Sequence, residues 1–177
     1  MPNHIHLVAV PSSEDGLRRS IGEAHRRYTA RVNSFKSWRG HLWQGRFSSY
    51  VLDDKHLLTA TRYIELNPVV ANIVRSPARY RWSSARAHMK GKDDKLVKVS
   101  PMLKMVSDWR AFLADDVSPK QIEQIREHET TGRPLGSDAF LGSLEKKLGR
   151  ALRPQRGGRP KKGSRSKEGD GPPKKKS

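Results

Sequence analysis

Apolar residues along this chain follow two periods in turn. The opening run Met1-Pro2-Asn3-His4-Ile5-His6-Leu7-Val8-Ala9-Val10 reads as a short strand, on which His4 and His6 share one face and Ile5 and Leu7 the other. Two imidazoles so placed, roughly 6 to 7 Å apart, can share one metal ion. From Leu17 the spacing becomes helical. Leu17, Ile21, Ala24, Tyr28 and Val32 recur on one face to about Asn33, after cap residues at Pro11 to Asp15, and Arg18, Arg19, Arg26 and Arg27 occupy the other. Phe35 to Gly45, rich in Trp, Arg and Gly, predicts a loop, and Arg46 to Leu52 alternates as a second strand.

Asp53-Asp54 supplies a cap for a helix from about Lys55 to Asn67, which Pro68 brings toward its end. A short apolar piece, Val69 to Val74, follows, and Pro77 to Ala87 is turn-rich. Short helices are predicted around Met102 to Val106 and Trp109 to Leu113, and longer ones over 119 to 129 and 137 to 150. Beyond Leu152 there is no apolar residue, so that stretch cannot build a core and is expected to be disordered when free. The expected division is a first domain over residues 1 to 76, a mainly helical region over 77 to 152 and a basic tail over 153 to 177.

Charge changes this picture from a fold to a partner. The formal net charge is +18, and residues 146 to 177 hold 13 of the 36 Lys and Arg against only Glu168 and Asp170. A basic surplus in both parts of the chain points to a polyanion, nucleic acid before an anionic membrane surface, because each neutralised phosphate releases counterions. The absence of cysteine excludes disulfides, zinc-thiolate sites and thiol catalysis. With no apolar run near the ~20 residues needed to span a bilayer, the expected location is cytoplasmic.

Two further residues belong with the histidines. Tyr63 and Asn67 lie one turn apart on a shoulder of the helix 55 to 67. A phenol with an ordinary pKa of about 10 needs an electrophilic partner to act as a nucleophile at neutral pH. Asn67 offers a hard oxygen donor, and imidazoles with an amide oxygen suit Mg²⁺ or Mn²⁺, although two imidazoles alone also accept Zn²⁺ or Ni²⁺.

Taken together, Met1 to Leu7, Gln44-Gly45-Arg46-Phe47, Arg62-Tyr63-Ile64-Glu65-Leu66-Asn67-Pro68-Val69 and Trp82-Ser83-Ser84 resemble the REP-associated tyrosine transposases. These are relatives of insertion-sequence transposases with a single-tyrosine HUH nuclease domain. The resemblance continues through Asp108 to Leu113, Thr131 to Gly136, Leu148-Gly149-Arg150 and Gly158 to Lys161. It implies an α+β, ferredoxin-like HUH fold followed by a small helical region. It also implies a DNA transposase or endonuclease acting on single-stranded or hairpin DNA with palindromic repeats. In this reading Tyr63 is the nucleophile that forms a 5′-phosphotyrosine, and His4, His6 and Asn67 hold a divalent metal, Mg²⁺ or Mn²⁺. Arg18, Arg19, Arg26, Arg27, Arg39 and Arg46 with Trp38 and Trp43 are expected to contact DNA, as are Arg159, Lys161 and Lys162. Family members carry a strand and a helix before the histidine strand that this sequence does not show. The expectation is therefore an N-terminally incomplete domain, poorly folded and inactive alone. A DNA-binding protein without catalysis is the alternative.

Overall fold

The computed structural model describes Met1 and residues 3 to 154. Residues 155 to 177 of the basic tail, with the candidate DNA contacts Arg159, Lys161 and Lys162, lie outside the described residues. In chain order the helices are α1 (Gly16–Lys36), α2 (Asp54–Val70), α3 (Ala85–Lys90), α4 (Ser100–Leu103), α5 (Trp109–Ala114), α6 (Pro119–Thr131) and α7 (Asp138–Leu148), with a 3-10 turn at Pro77–Arg79 between α2 and α3.

The α+β, ferredoxin-like HUH fold is not what the chain forms. Among the described residues there is no sheet, and the one β pairing is an isolated parallel bridge between Leu52 and Leu135. Residues 4 to 10 form no strand, and Ile5, Leu7, Val8 and Val10 are all exposed. The physical reason is that alternation decides which side chains share a face, whereas a sheet also needs a neighbouring backbone about 4.8 Å away. Only the segment after α6 comes alongside residues 46 to 52. Leu135 N–H donates to the Val51 carbonyl at 2.8 Å and Asp53 N–H donates to the Leu135 carbonyl at 3.2 Å.

Helices carry their own backbone bonds, and here the local signals agree with the structure. Asp53 caps α2 by accepting the His56 N–H, and the helix ends just beyond the buried Pro68. Ser118 and Gln121 form a reciprocal capping box at the start of α6, with Pro119 in its opening turn. Gly132, at φ +66°, closes α6 in the left-handed conformation that glycine adopts without strain. In the same connection a side chain at Gly136 would overlap the Phe140 ring. Thr131 to Gly136 is thus a structural turn, and it positions the end of α6 against the entry to α2.

α2 is the central element because it faces two cores. On one side Ala85, Met102, Trp109 and Leu113 pack with Leu57, Leu58 and Leu66. On the other Ala60, Ile125 and Leu135 pack with Tyr50, Leu52 and Tyr63. The first core contains a carboxyl group. Glu65 is completely buried, and its carboxylate accepts from Ser84 Oγ, from Trp109 Nε1 at 2.8 Å and from His88 Nδ1 at 2.7 Å. α1, in contrast, has no buried residue.

Asp53 joins these parts. Besides the His56 N–H it accepts the Ser137 N–H at 2.7 Å, and its Oδ1 lies 2.6 Å from His56 Nδ1. Burial pushes this carboxyl up, but the backbone donors His56 and Ser137 and the His56 ring outweigh it, so the net direction is down. Replacing Asp53 by alanine removes a cap and a tertiary tie, at an expected cost of about 2 to 3 kcal/mol in urea unfolding. Because the native carboxyl titrates below its unfolded counterpart, its contribution is full above about pH 4 and is lost as pH falls through the native value. The gap between wild type and Asp53→Ala should therefore close in acid.

Candidate tyrosine and histidine site

Three separate segments converge where α2 and α6 lie together. The opening segment brings His4 and His6 with ring centroids 4.9 Å apart, edge to face. α2 supplies Tyr63, whose ring meets His6 edge to face at 5.8 Å. α6 supplies Glu129, whose Oε1 lies 3.2 Å from His6 Nδ1. Glu129 is itself held in place, since Ser48 Oγ donates to its backbone carbonyl at 2.6 Å. Next to it, His128 Nδ1 lies 2.8 Å from the Arg133 carbonyl.

Tyr50 completes the cluster. Burial first, then the nearby Glu129 carboxylate and the Tyr63 hydroxyl, push its phenol up to about 12, so Tyr50 keeps its proton at neutral pH. His4 moves the other way. Partial loss of hydration, the His6 imidazole and the chain's amino group hold its pKa below the usual histidine value, against a smaller opposing pull from Glu129. A neutral His4 is the form that binds metal.

The sequence reading placed a metal on His4, His6 and Asn67. Asn67 lies one turn beyond Tyr63, partly buried, and its carbonyl accepts the Ala71 N–H. The carboxylate beside His6 is Glu129, which no pattern in the sequence singles out, because a Glu near the end of a polar helix reads as a solvated side chain. Among the described residues no three His, Asp or Glu side chains form a group able to hold an ion. The donors that remain for one are the two imidazoles. His4 Nδ1 contacts Asn3 Oδ1 at 2.8 Å and His6 Nδ1 faces Glu129, which leaves Nε2 of each ring as the free donor. A hard divalent ion that keeps several water or phosphate oxygens accepts such a pair.

No known protein family, curated protein or solved structure matches this chain.

The expected DNA contacts fall into distinct groups. Arg18 and Arg19 are exposed on α1, each 3.8 Å from Asp15. Arg26 and Arg27 both grip Glu23, and their hydrogen bonds depress its carboxyl to about 2, so part of their charge is locally answered. Arg39 and Arg46 are exposed, as is Trp38. Trp43 is not an open platform, because it stacks on His25 at 3.8 Å and 10° and donates its indole N–H to the His25 carbonyl. The helices of the described residues include none long and apolar enough to cross a membrane.

Proposed function

We propose that this chain is a cytoplasmic DNA-processing protein akin to the REP-associated tyrosine transposases, in which Tyr63 attacks a phosphodiester of single-stranded or hairpin DNA. The observation that carries the reading is the Tyr63 ring against His6, with Glu129 3.2 Å from Nδ1 of that imidazole. Tyr63 Oη forms a bond to phosphorus while the bond to the 3′ oxygen breaks. The products are a 5′-phosphotyrosine and a free 3′-hydroxyl. The phenol gives up its proton and the departing 3′ oxygen takes one up. The tyrosyl ester preserves the phosphodiester energy, so a 3′-hydroxyl can later reverse the step and join strands.

Glu129 faces Nδ1 of His6 and orients the ring so that its other nitrogen can hold a metal, and the phenolic proton passes to solvent. A divalent ion held by His4 and His6, Mg²⁺ or Mn²⁺, would supply polarisation of the phosphate. The basic surface made by Arg18, Arg19, Arg39 and Arg46 supports the choice of a polyanionic substrate. The test is a denaturing gel after incubation with a labelled hairpin oligonucleotide and Mn²⁺. A DNA–protein species that requires both Tyr63 and the metal is expected.

Glu129 gives a second measurement that does not depend on turnover. Glu129→Gln should weaken Mn²⁺ binding by about tenfold, read by electron paramagnetic resonance without DNA, because the carboxylate fixes the ring and raises the basicity of its other nitrogen. The exposed arginines on their own support one other reading, DNA binding without cleavage. Binding that persists in chelator and in Tyr63→Phe, with no adduct under any divalent ion, would establish that alternative.

A further inference from the structure

α2 and α6 run side by side in the same direction, and the groove between them has two ends. At one end Tyr63 and Glu129 meet His6. At the other is a cleft of about 290 Å³ lined by the opening turns of both helices, with Lys55, His56 and Thr59 on α2 and Lys120, Gln121 and Gln124 on α6. Its floor is the buried Ile125 and Leu135.

The lining is rich in donors and contains no carboxylate. The ion pairs formed among the described residues engage neither Lys55 nor Lys120. Gln121 Oε1 already accepts from the Ser118 N–H and hydroxyl, which leaves its amide N–H groups as the free polar function. Asp53, which caps α2, is committed to His56 and Ser137, and Asp54, the first residue of the helix, does not line the cleft. Two ammonium groups and amide donors above an apolar floor suit an anion whose other parts are flat or apolar. A nucleotide phosphate with its sugar and base has that chemistry.

Position connects this cleft to the tyrosine. Thr59 and Lys55 precede Tyr63 by one and two turns, or about 6 and 12 Å along the helix. At about 3.4 Å per stacked nucleotide that distance corresponds to two to four nucleotides. We propose that the Lys55–Lys120 cleft holds a backbone phosphate of the same single strand, two to four nucleotides from the phosphate presented to Tyr63. This rests on the DNA-processing reading above and adds to it a register. The strand is laid along the α2–α6 groove, and the cleft sets which phosphate reaches the tyrosine.

The experiment is a methylphosphonate scan of a single-stranded oligonucleotide, which neutralises one phosphate at a time. Affinity is measured by fluorescence anisotropy for the full wild-type chain, for Lys55→Ala/Lys120→Ala and for the charge-matched control Lys146→Ala/Lys147→Ala on α7. Both double substitutions change exposed side chains and leave the cores intact. Wild type and control should lose about three- to tenfold in affinity when one phosphate is neutralised, two to four nucleotides from the site of adduct formation. The cleft variant should bind more weakly throughout and show no further loss at that position. A cleft variant with the same position-specific loss as wild type overturns the proposal, as does a scan with no such position. An adduct together with either result leaves the catalytic reading standing while the cleft falls. A position-specific loss without any adduct leaves phosphate binding in the cleft standing while catalysis falls. Absence of DNA binding by wild type overturns both.

Discussion

Glu65→Ala should remove about 3 to 5 kcal/mol of stability, enough to unfold a large fraction of a domain whose total is typically 5 to 15 kcal/mol. The cost arises less from the lost attraction than from what is left behind. Ser84, His88 and Trp109 all direct donors at this one buried carboxylate, and indole N–H has no acceptor role to fall back on. The side chain also fills space at the contact between α2, α3 and α5. His88 Nε2 is already buried without a partner, so its ring has little freedom to turn and satisfy itself elsewhere. Glu65→Gln keeps the volume but places an NH₂ group against a donor, and about 1 to 3 kcal/mol is expected. Urea unfolding monitored by tryptophan fluorescence measures both, since a shift of midpoint at constant slope reports stability alone. Equal stability of wild type and Glu65→Ala would show that the carboxylate is not the tie between these helices.

Tyr63→Phe should abolish the covalent DNA adduct, by about a thousandfold or more, because no other group in the cluster can take over the bond to phosphorus. Tyr50 is the informative control. It shares the cluster, yet its phenol is pushed up to about 12 by burial and by its neighbours, so Tyr50→Phe should leave the adduct in place. The two variants remove the same atom from two rings packed against the same core. A merely structural role for either hydroxyl would show as a change in unfolding midpoint, not as selective loss of adduct. Adduct formation by Tyr63→Phe that disappears in Tyr50→Phe would reassign the nucleophile.

The helices were legible because each carries its own signals. Asp53 marks the start of α2 and Pro68 its approaching end, and the structure places both features there. The helix expected over 119 to 129 forms as α6, Pro119–Thr131. The first strand was misread because the alternation from His4 to Val10 concerns one segment only, while pairing depends on a second that sequence spacing does not reveal. Residues 46 to 52 show the same limit, reduced to one bridge at Leu52. α3 was not expected, and its first three residues fall in the turn-rich stretch 77 to 87, since six residues are too few for a period to emerge. In the site, His4, His6 and Tyr63 were legible as residue types and they do converge. Glu129 was not, because what matters is its distance to His6 across 123 residues of chain, and helix spacing contains no information about that contact. Glu65 was hidden for the opposite reason. A glutamate on a helix reads as solvent-facing until its three donors from other elements are known.

The Asp53 carboxylate has a kinetic consequence. One oxygen serves a residue three positions away and the other a residue 84 positions away, so the start of α2 depends on a local and a distant partner at once. Closing a loop of that length costs only slowly rising entropy, but it must be paid before the distant bond rewards it. The opening turn of the helix that bears Tyr63 can therefore nucleate early on His56 alone. It becomes fixed only when Ser137 arrives, which makes the docking of the Thr131–Ser137 connection a late event in folding and one that the tyrosine must await.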